Sequence, residues 1–141
     1  MKRMNFNFRW YKPGIGTPIV SIADYGITFN KAATEEMGNP QRIQIGFDEH
    51  QKIIGVRPIY IYEDDKDSLP FAGRERNGFT RVNSKDFIRF IARYCPEIKF
   101  DRAVRCLSRW DENAGILLID LNNPIEGQTS DGENNEVNQE N

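Results

Sequence analysis

The sequence has few of the residues that build metal, disulfide or nucleophilic sites. It contains two cysteines, Cys95 and Cys106, and one histidine, His50. So small a set, outside a C-x-x-C spacing, does not make a disulfide framework and leaves a zinc site without enough ligands. We therefore expect both thiols to be free and buried, and we predict no metal site and no cofactor.

No run of apolar residues is long enough to cross a membrane. The strongly apolar runs are short, such as residues 116–119, whereas a membrane-spanning helix needs roughly 18 or more apolar residues. The start, MKRMNFNFRWYKPG, is basic and contains neither the apolar segment nor the cleavage site of a signal peptide. We therefore expect a cytoplasmic protein that does not bind membranes.

The sequence also lacks a catalytic signature, and we predict that the protein is not an enzyme. His50 lies in a predicted turn beside Asp48 and Glu49, but no serine or cysteine partner can be assigned to it. A concave pocket that contains His50 and a carboxylate would favour an enzyme instead. The acidic segment at 63–67, EDDKD, lacks the pattern of a calcium loop, so a solvated linker explains it better.

Charge is unevenly distributed, although the net charge is only −2. Residues 122–141 carry five acidic residues and no lysine or arginine, so the rest of the chain has a net charge of +3. This segment is rich in Asn, Gln, Glu and Gly, and it has too few apolar side chains to offset the entropy lost on ordering. We predict a disordered acidic tail at 122–141 that follows one domain at 1–121.

Two segments, at about 18–62 and 77–121, have a similar order of predicted elements. In each segment a turn and a short strand precede a helix, at 31–37 and 84–94, and a hairpin follows. The hairpins align at a constant offset of 63 residues, since Phe47-Asp48-Glu49 and residues 53–56 correspond to Trp110-Asp111-Glu112 and residues 116–119. Residues 25–28 likewise correspond to 77–80, after which Arg81 is one extra residue.

This similarity predicts an α+β fold with a mostly antiparallel sheet, or a small barrel. In it, two duplicated strand–helix–hairpin units would complete one core about a pseudo-twofold axis. The alternative is that two ordinary hairpins look alike by chance.

The first unit resembles the swapped-hairpin domain of AbrB-like transition-state regulators and related antitoxins. Gly26, Lys31 and Met37 match the glycine, lysine and leucine of that pattern, whereas Asn30 replaces its proline and Thr34 replaces its arginine. In that family two chains interlock and bind DNA through basic residues. The resemblance implies that the second unit takes the place of a partner chain, which would give a monomeric pseudo-dimer.

Basic residues supply the best candidate functional site. Between residues 74 and 109 there are ten basic and four acidic residues. Clustered cations suit a phosphate backbone, because each neutralised phosphate releases counterions. Three of the basic residues are spaced four apart, so they form a stripe on the predicted second helix. The predicted nucleic-acid-binding residues are Arg74, Arg76, Arg81, Lys85, Arg89 and Arg93.

The aromatic residues near the N-terminus have two interpretations. Phe6, Phe8 and Trp10 alternate with polar residues, as in an edge strand that packs its aromatic side chains on the core. The alternative is a platform on which nucleic-acid bases stack.

The function that the sequence favours is a non-enzymatic binding protein, with a DNA-associated transcriptional regulator as the specific hypothesis. The alternative is a protein–protein interaction module or inhibitor, such as a mobile-element accessory protein. The expected partner is accordingly nucleic acid or an acidic protein, since a basic helix face can also be an ordinary solvated surface or bind acidic proteins.

Overall fold

The computed structural model describes residues 16–60 and 66–125, together with residues 5, 6, 8 and 10. This part of the chain forms nine strands and two short helices. The strands are β1 (Ile19–Ala23), β2 (Gly26–Asn30), β3 (Arg42–Asp48), β4 (Ile53–Ile59), β5 (Leu69–Pro70), β6 (Glu75–Arg76), β7 (Phe79–Asn83), β8 (Val104–Asp111) and β9 (Ile116–Pro124). The helices are α1 (Lys31–Glu36) and α2 (Lys85–Ala92).

All nine strands belong to one sheet, in the order β5-β3-β4-β9-β8-β1-β2-β7-β6. Every neighbouring pair is antiparallel. The sheet curls into a half-barrel. Since successive side chains of a strand point to opposite faces, the curled sheet has an inner face that encloses the core and an outer face.

The core lies on the inner face, where alternate aliphatic and aromatic side chains of the central strands are fully buried. Both helices pack onto this face. α2 contributes Ile88 and Ile91 to the core, and α1 contributes Ala33. The Asn30 side chain starts α1 by accepting a hydrogen bond from the Ala33 N–H at 2.9 Å, as an N-cap residue does.

The predicted α+β fold built from two strand–helix–hairpin units is wrong. The helices have only six and eight residues, and the strands form one continuous sheet rather than two units. β1 lies between β2 and β8 and thereby joins the two segments. The hairpins β3–β4 and β8–β9 do lie side by side through β4 and β9, and Phe47 and Trp110 pack against the same core.

The first strands of the two segments show why the alignment fails. Ile27 is fully buried in β2, but its aligned counterpart Phe79 is 53% exposed in β7. Thr28 lies on the outer face, whereas the aligned Thr80 is buried on the inner face. A shift of one residue moves every side chain of a strand to the opposite face, so the aligned positions before the extra residue Arg81 point to opposite faces in β2 and β7.

The C-terminal strand extends beyond the predicted domain boundary at 121. β9 continues to Pro124, and the Ile125 N–H donates to the Arg105 carbonyl at 2.7 Å. The rest of the predicted tail lies outside the described residues, as do residues 63–65 of the predicted linker. Neither helix in the described part is long and apolar enough to span a membrane.

Candidate nucleic-acid interface

The six predicted basic residues lie on two different surfaces. Arg81 projects from the outer face of β7, because its neighbours Thr80 and Val82 are buried on the inner face. Lys85 and Arg89 project from α2, which packs on the inner face. The structure therefore separates Arg74, Arg76 and Arg81 from Lys85, Arg89 and Arg93.

The first group lines a groove of about 770 Å³ on the outer face, which we call the arginine groove. Strand pairing builds its floor: Ser21 on β1 pairs with Thr28 on β2, and Thr28 pairs with Arg81 on β7. Among the described residues, those that line the groove include three arginines and no aspartate or glutamate. They are Ser21, Tyr25, Thr28, Gly73, Arg74, Arg76, Phe79, Arg81, Asn83 and Ala103.

Tyr25 fixes the position of one arginine in the arginine groove. The guanidinium carbon of Arg81 lies 4.2 Å from the centroid of the Tyr25 ring, which is a cation–π contact. The carbonyl of Tyr25 also accepts a hydrogen bond from the Ser84 N–H at 3.0 Å, so the β1–β2 turn is tied to the end of β7. Arg81 is thus held against an aromatic ring.

A tight hairpin turn places the other two important side chains of the arginine groove. Asn77 and Gly78 both have positive φ, 55° and 84°, as the two-residue turn of a β-hairpin requires. This turn sets Arg76 on β6 directly opposite Phe79 on β7. The groove consequently carries an exposed phenyl ring beside a guanidinium group.

Tyr25 and Phe79 were not among the predicted site residues. A signal for Phe79 was present, because an Asn-Gly dipeptide between strand-forming residues is a strong hairpin signal that pairs the residues on either side of it. The contact between Tyr25 and Arg81 joins residues 56 positions apart, so no local sequence pattern predicts it.

The second basic surface, on α2, is less positive than the arginine groove. A hollow of about 550 Å³ is lined by Lys85, Arg89 and Lys99, but Asp24 and Asp101 also line it and offset part of this charge. Arg89 forms an ion pair with Asp86 at 3.3 Å, and both side chains are largely exposed. Arg93 is exposed at the C-terminal end of α2. The acidic neighbours make α2 the weaker candidate for phosphate binding.

The N-terminal aromatic residues do not pack on the core as predicted for an edge strand. Phe6, Phe8 and Trp10 are 62–77% exposed. They contact one another instead, with ring centroids 5.4 Å apart for Phe6 and Phe8 and 5.1 Å apart for Phe8 and Trp10.

His50 lies in the β3–β4 turn, and the two cysteines are buried. The carboxylate of Asp48 accepts hydrogen bonds from the N–H groups of His50 and Gln51, both at 3.0 Å, and so closes the β3–β4 turn. Hydrogen bonding by Gln51 lowers the pKa of Asp48. Cys95 and Cys106 are free and buried, which confirms the prediction, and burial raises the pKa of the Cys106 thiol to about 12.

Comparison of the chain with protein-family models, with curated proteins and with solved structures found no match. The resemblance to AbrB-like domains therefore stays a prediction.

Proposed function

We propose that the protein is a non-enzymatic nucleic-acid-binding protein and that the arginine groove holds the phosphate backbone. The observation that carries this proposal is the composition of the groove, where Arg74, Arg76 and Arg81 converge and no acidic residue is found among the described residues of the lining. Guanidinium groups present several N–H donors in a planar fork that matches phosphate oxygens. A cytoplasmic DNA-associated regulator is the role that agrees best with such a surface.

Cations at this position raise the local concentration of a polyanion even though the whole chain is slightly acidic. The side chains of Ser21 and Asn83 on the floor can donate hydrogen bonds to phosphate or sugar oxygens, which is a common use of these residues in nucleic-acid interfaces.

The test is the salt dependence of binding to a labelled random-sequence oligonucleotide. Three phosphate contacts predict a slope of log K against log salt of about −2 for a single strand and about −3 for a duplex. The variants Arg76→Gln and Arg81→Gln should each weaken binding and reduce the size of the slope by roughly 0.7–0.9. Fluorescence anisotropy measures both quantities.

Arg57→Gln is the matched control, because it removes the same charge from a different part of the sheet. Arg57 is exposed on β4 and donates a hydrogen bond to Gln44. It should leave the affinity and the slope nearly unchanged. Absence of binding at about 50 mM salt, or an equal loss with Arg57→Gln, would contradict the proposal.

A protein–protein module is the second candidate, and the surface of α2 favours it. Phe90 is 40% exposed on this helix, beside the exposed Arg89 and Arg93. Aromatic residues and arginine are enriched in protein interfaces. If an acidic protein binds there, Phe90→Ala should abolish capture of that one stoichiometric partner, whereas Arg76→Gln should not. The opposite result would exclude α2 as the interface.

A further inference from the structure

We infer that the arginine groove takes a single-stranded nucleic acid and that one of its bases stacks on the ring of Phe79. The inference rests on the proposed function and names its ligand class. It starts from a side chain that the fold does not explain. Phe79 is 53% exposed on the outer face of β7, where a polar residue would be expected.

The ring is exposed where a ligand can reach it. Phe79 lines the arginine groove, and the strand pairing sets it opposite Arg76 on one side and Asn30 on the other. The other aromatic ring among the described residues of the lining is that of Tyr25, which already carries the guanidinium of Arg81 on its face. Phe79 is therefore the ring of this groove that has a large exposed surface to offer to a ligand.

An aromatic ring beside cations is the combination that single-strand binders use. The cations follow the backbone, and the ring accepts the face of any base, so binding is strong and tolerant of sequence. In a duplex the faces of the bases are covered by stacking, and only their edges are accessible in the grooves. An exposed phenyl ring would gain little from a duplex, whereas a single strand can swing one base onto it.

The floor of the groove fits an unpaired base as well as a backbone. Ser21 and Asn83 are neutral side chains that can both donate and accept hydrogen bonds. These groups can contact the edges of a base that a single strand leaves unpaired. The row from β6 to β1 crosses four strands, so the floor is about 14 Å wide at ordinary strand spacing.

The experiment compares a labelled oligothymidine of about ten nucleotides with a duplex of the same length, by fluorescence anisotropy. We expect the single strand to bind more tightly than the duplex. Phe79→Ala should weaken binding of the single strand by about 5- to 150-fold and leave its salt slope unchanged. Phe79→Leu should weaken binding as Phe79→Ala does, whereas Phe79→Trp should bind about as tightly as the wild-type chain, because stacking needs a ring rather than apolar bulk.

Leu107→Ala is the control for loss of an exposed apolar side chain. Leu107 is 56% exposed on the same outer face, on β8, and does not line the arginine groove. It should not change the affinity for the single strand. Thermal melting followed by circular dichroism establishes that each variant is folded. We expect them to fold, because the side chains of Phe79 and Leu107 are both exposed.

The outcomes separate this inference from the proposed function. Equal binding of duplex and single strand, or full binding by Phe79→Ala with the normal salt slope, would overturn the inference and leave the groove as a phosphate-binding site. Failure of the wild-type chain to bind either oligonucleotide at low salt would overturn both. A normal affinity in Phe79→Leu would show apolar contact rather than stacking and would also refute the inference.

Discussion

Substitution of Gly26 by alanine tests whether the β1–β2 turn holds β7, and with it the arginine groove, in place. Gly26 has a φ of +151°, and it pairs with Asn83 at the end of β7. A Cβ atom at this position would overlap the carbonyl oxygen of Val82 and would lie 2.9 Å from the nitrogen of Ser84. These neighbours are backbone atoms, so the clash cannot be relieved by rotating a side chain.

The size of the effect follows from three contributions. A side chain at this φ costs about 1–3 kcal/mol of backbone strain. To relieve the overlap, β7 must move away from the turn. This movement weakens the Gly26–Asn83 pairing and the hydrogen bond from the Ser84 N–H to the Tyr25 carbonyl, and each of these contributes about 1 kcal/mol. We predict that Gly26→Ala lowers the free energy of unfolding by about 3–5 kcal/mol, a large part of the 5–15 kcal/mol typical of a domain.

Urea unfolding followed by circular dichroism measures this loss, and Gly46→Ala is the matched control. Gly46 lies in β3, and a Cβ atom there would meet nothing within 4 Å. Alanine at this site should leave stability unchanged or raise it by about 0.4–1 kcal/mol, because it reduces the entropy of the unfolded chain. Equal stability of Gly26→Ala and the wild-type chain would refute the close approach of the turn to β7.

Two further predictions concern ionisable groups. The N–H of Gln51 lowers the pKa of Asp48 in the folded chain. The contribution of Asp48 to stability is therefore complete above its unfolded pKa of about 3.9 and is lost as the pH falls. Asp48→Ala should therefore lower the urea midpoint at about pH 7 and hardly change it at about pH 2, and equal losses at both pH values would contradict this. The pKa of Cys106 is raised to about 12, by burial first and then by Asp120, so its contribution to stability is complete below the unfolded value of about 8.5 and declines as the pH rises. Stability should fall less steeply above about pH 8.5 in Cys106→Ala, and the native Cys106 should resist a thiol reagent that labels the unfolded chain rapidly; rapid labelling of the folded chain would contradict the burial.

Local chemistry made most individual elements predictable from the sequence. Residues 42–47 alternate polar and apolar side chains, which is typical of a half-buried strand such as β3, and asparagine, which starts α1 at residue 30, is a common N-cap residue. The architecture was not predictable in the same way, because strand order depends on contacts between distant residues. Nothing near β1 indicates that it pairs with β8, more than 80 residues later.

The candidate site was predictable as a set of charges but not as a surface. The run of basic residues was plain in the sequence. Its division between the outer face and α2 depends on which side chains of β7 point outward, and a shift of one residue would reverse this. The acidic neighbours of Lys85 and Arg89 come from other parts of the chain, Asp24 and Asp101. A charge count along the sequence cannot show this neutralisation.

The most direct test of the arginine groove is to follow the backbone amides by nuclear magnetic resonance while an oligonucleotide is added at low salt. We predict that the largest shifts occur on β2, β6 and β7, with Thr28, Arg76 and Arg81 among them, and that the amides of α2 change little. Shifts confined to α2, or no shifts at all, would contradict it.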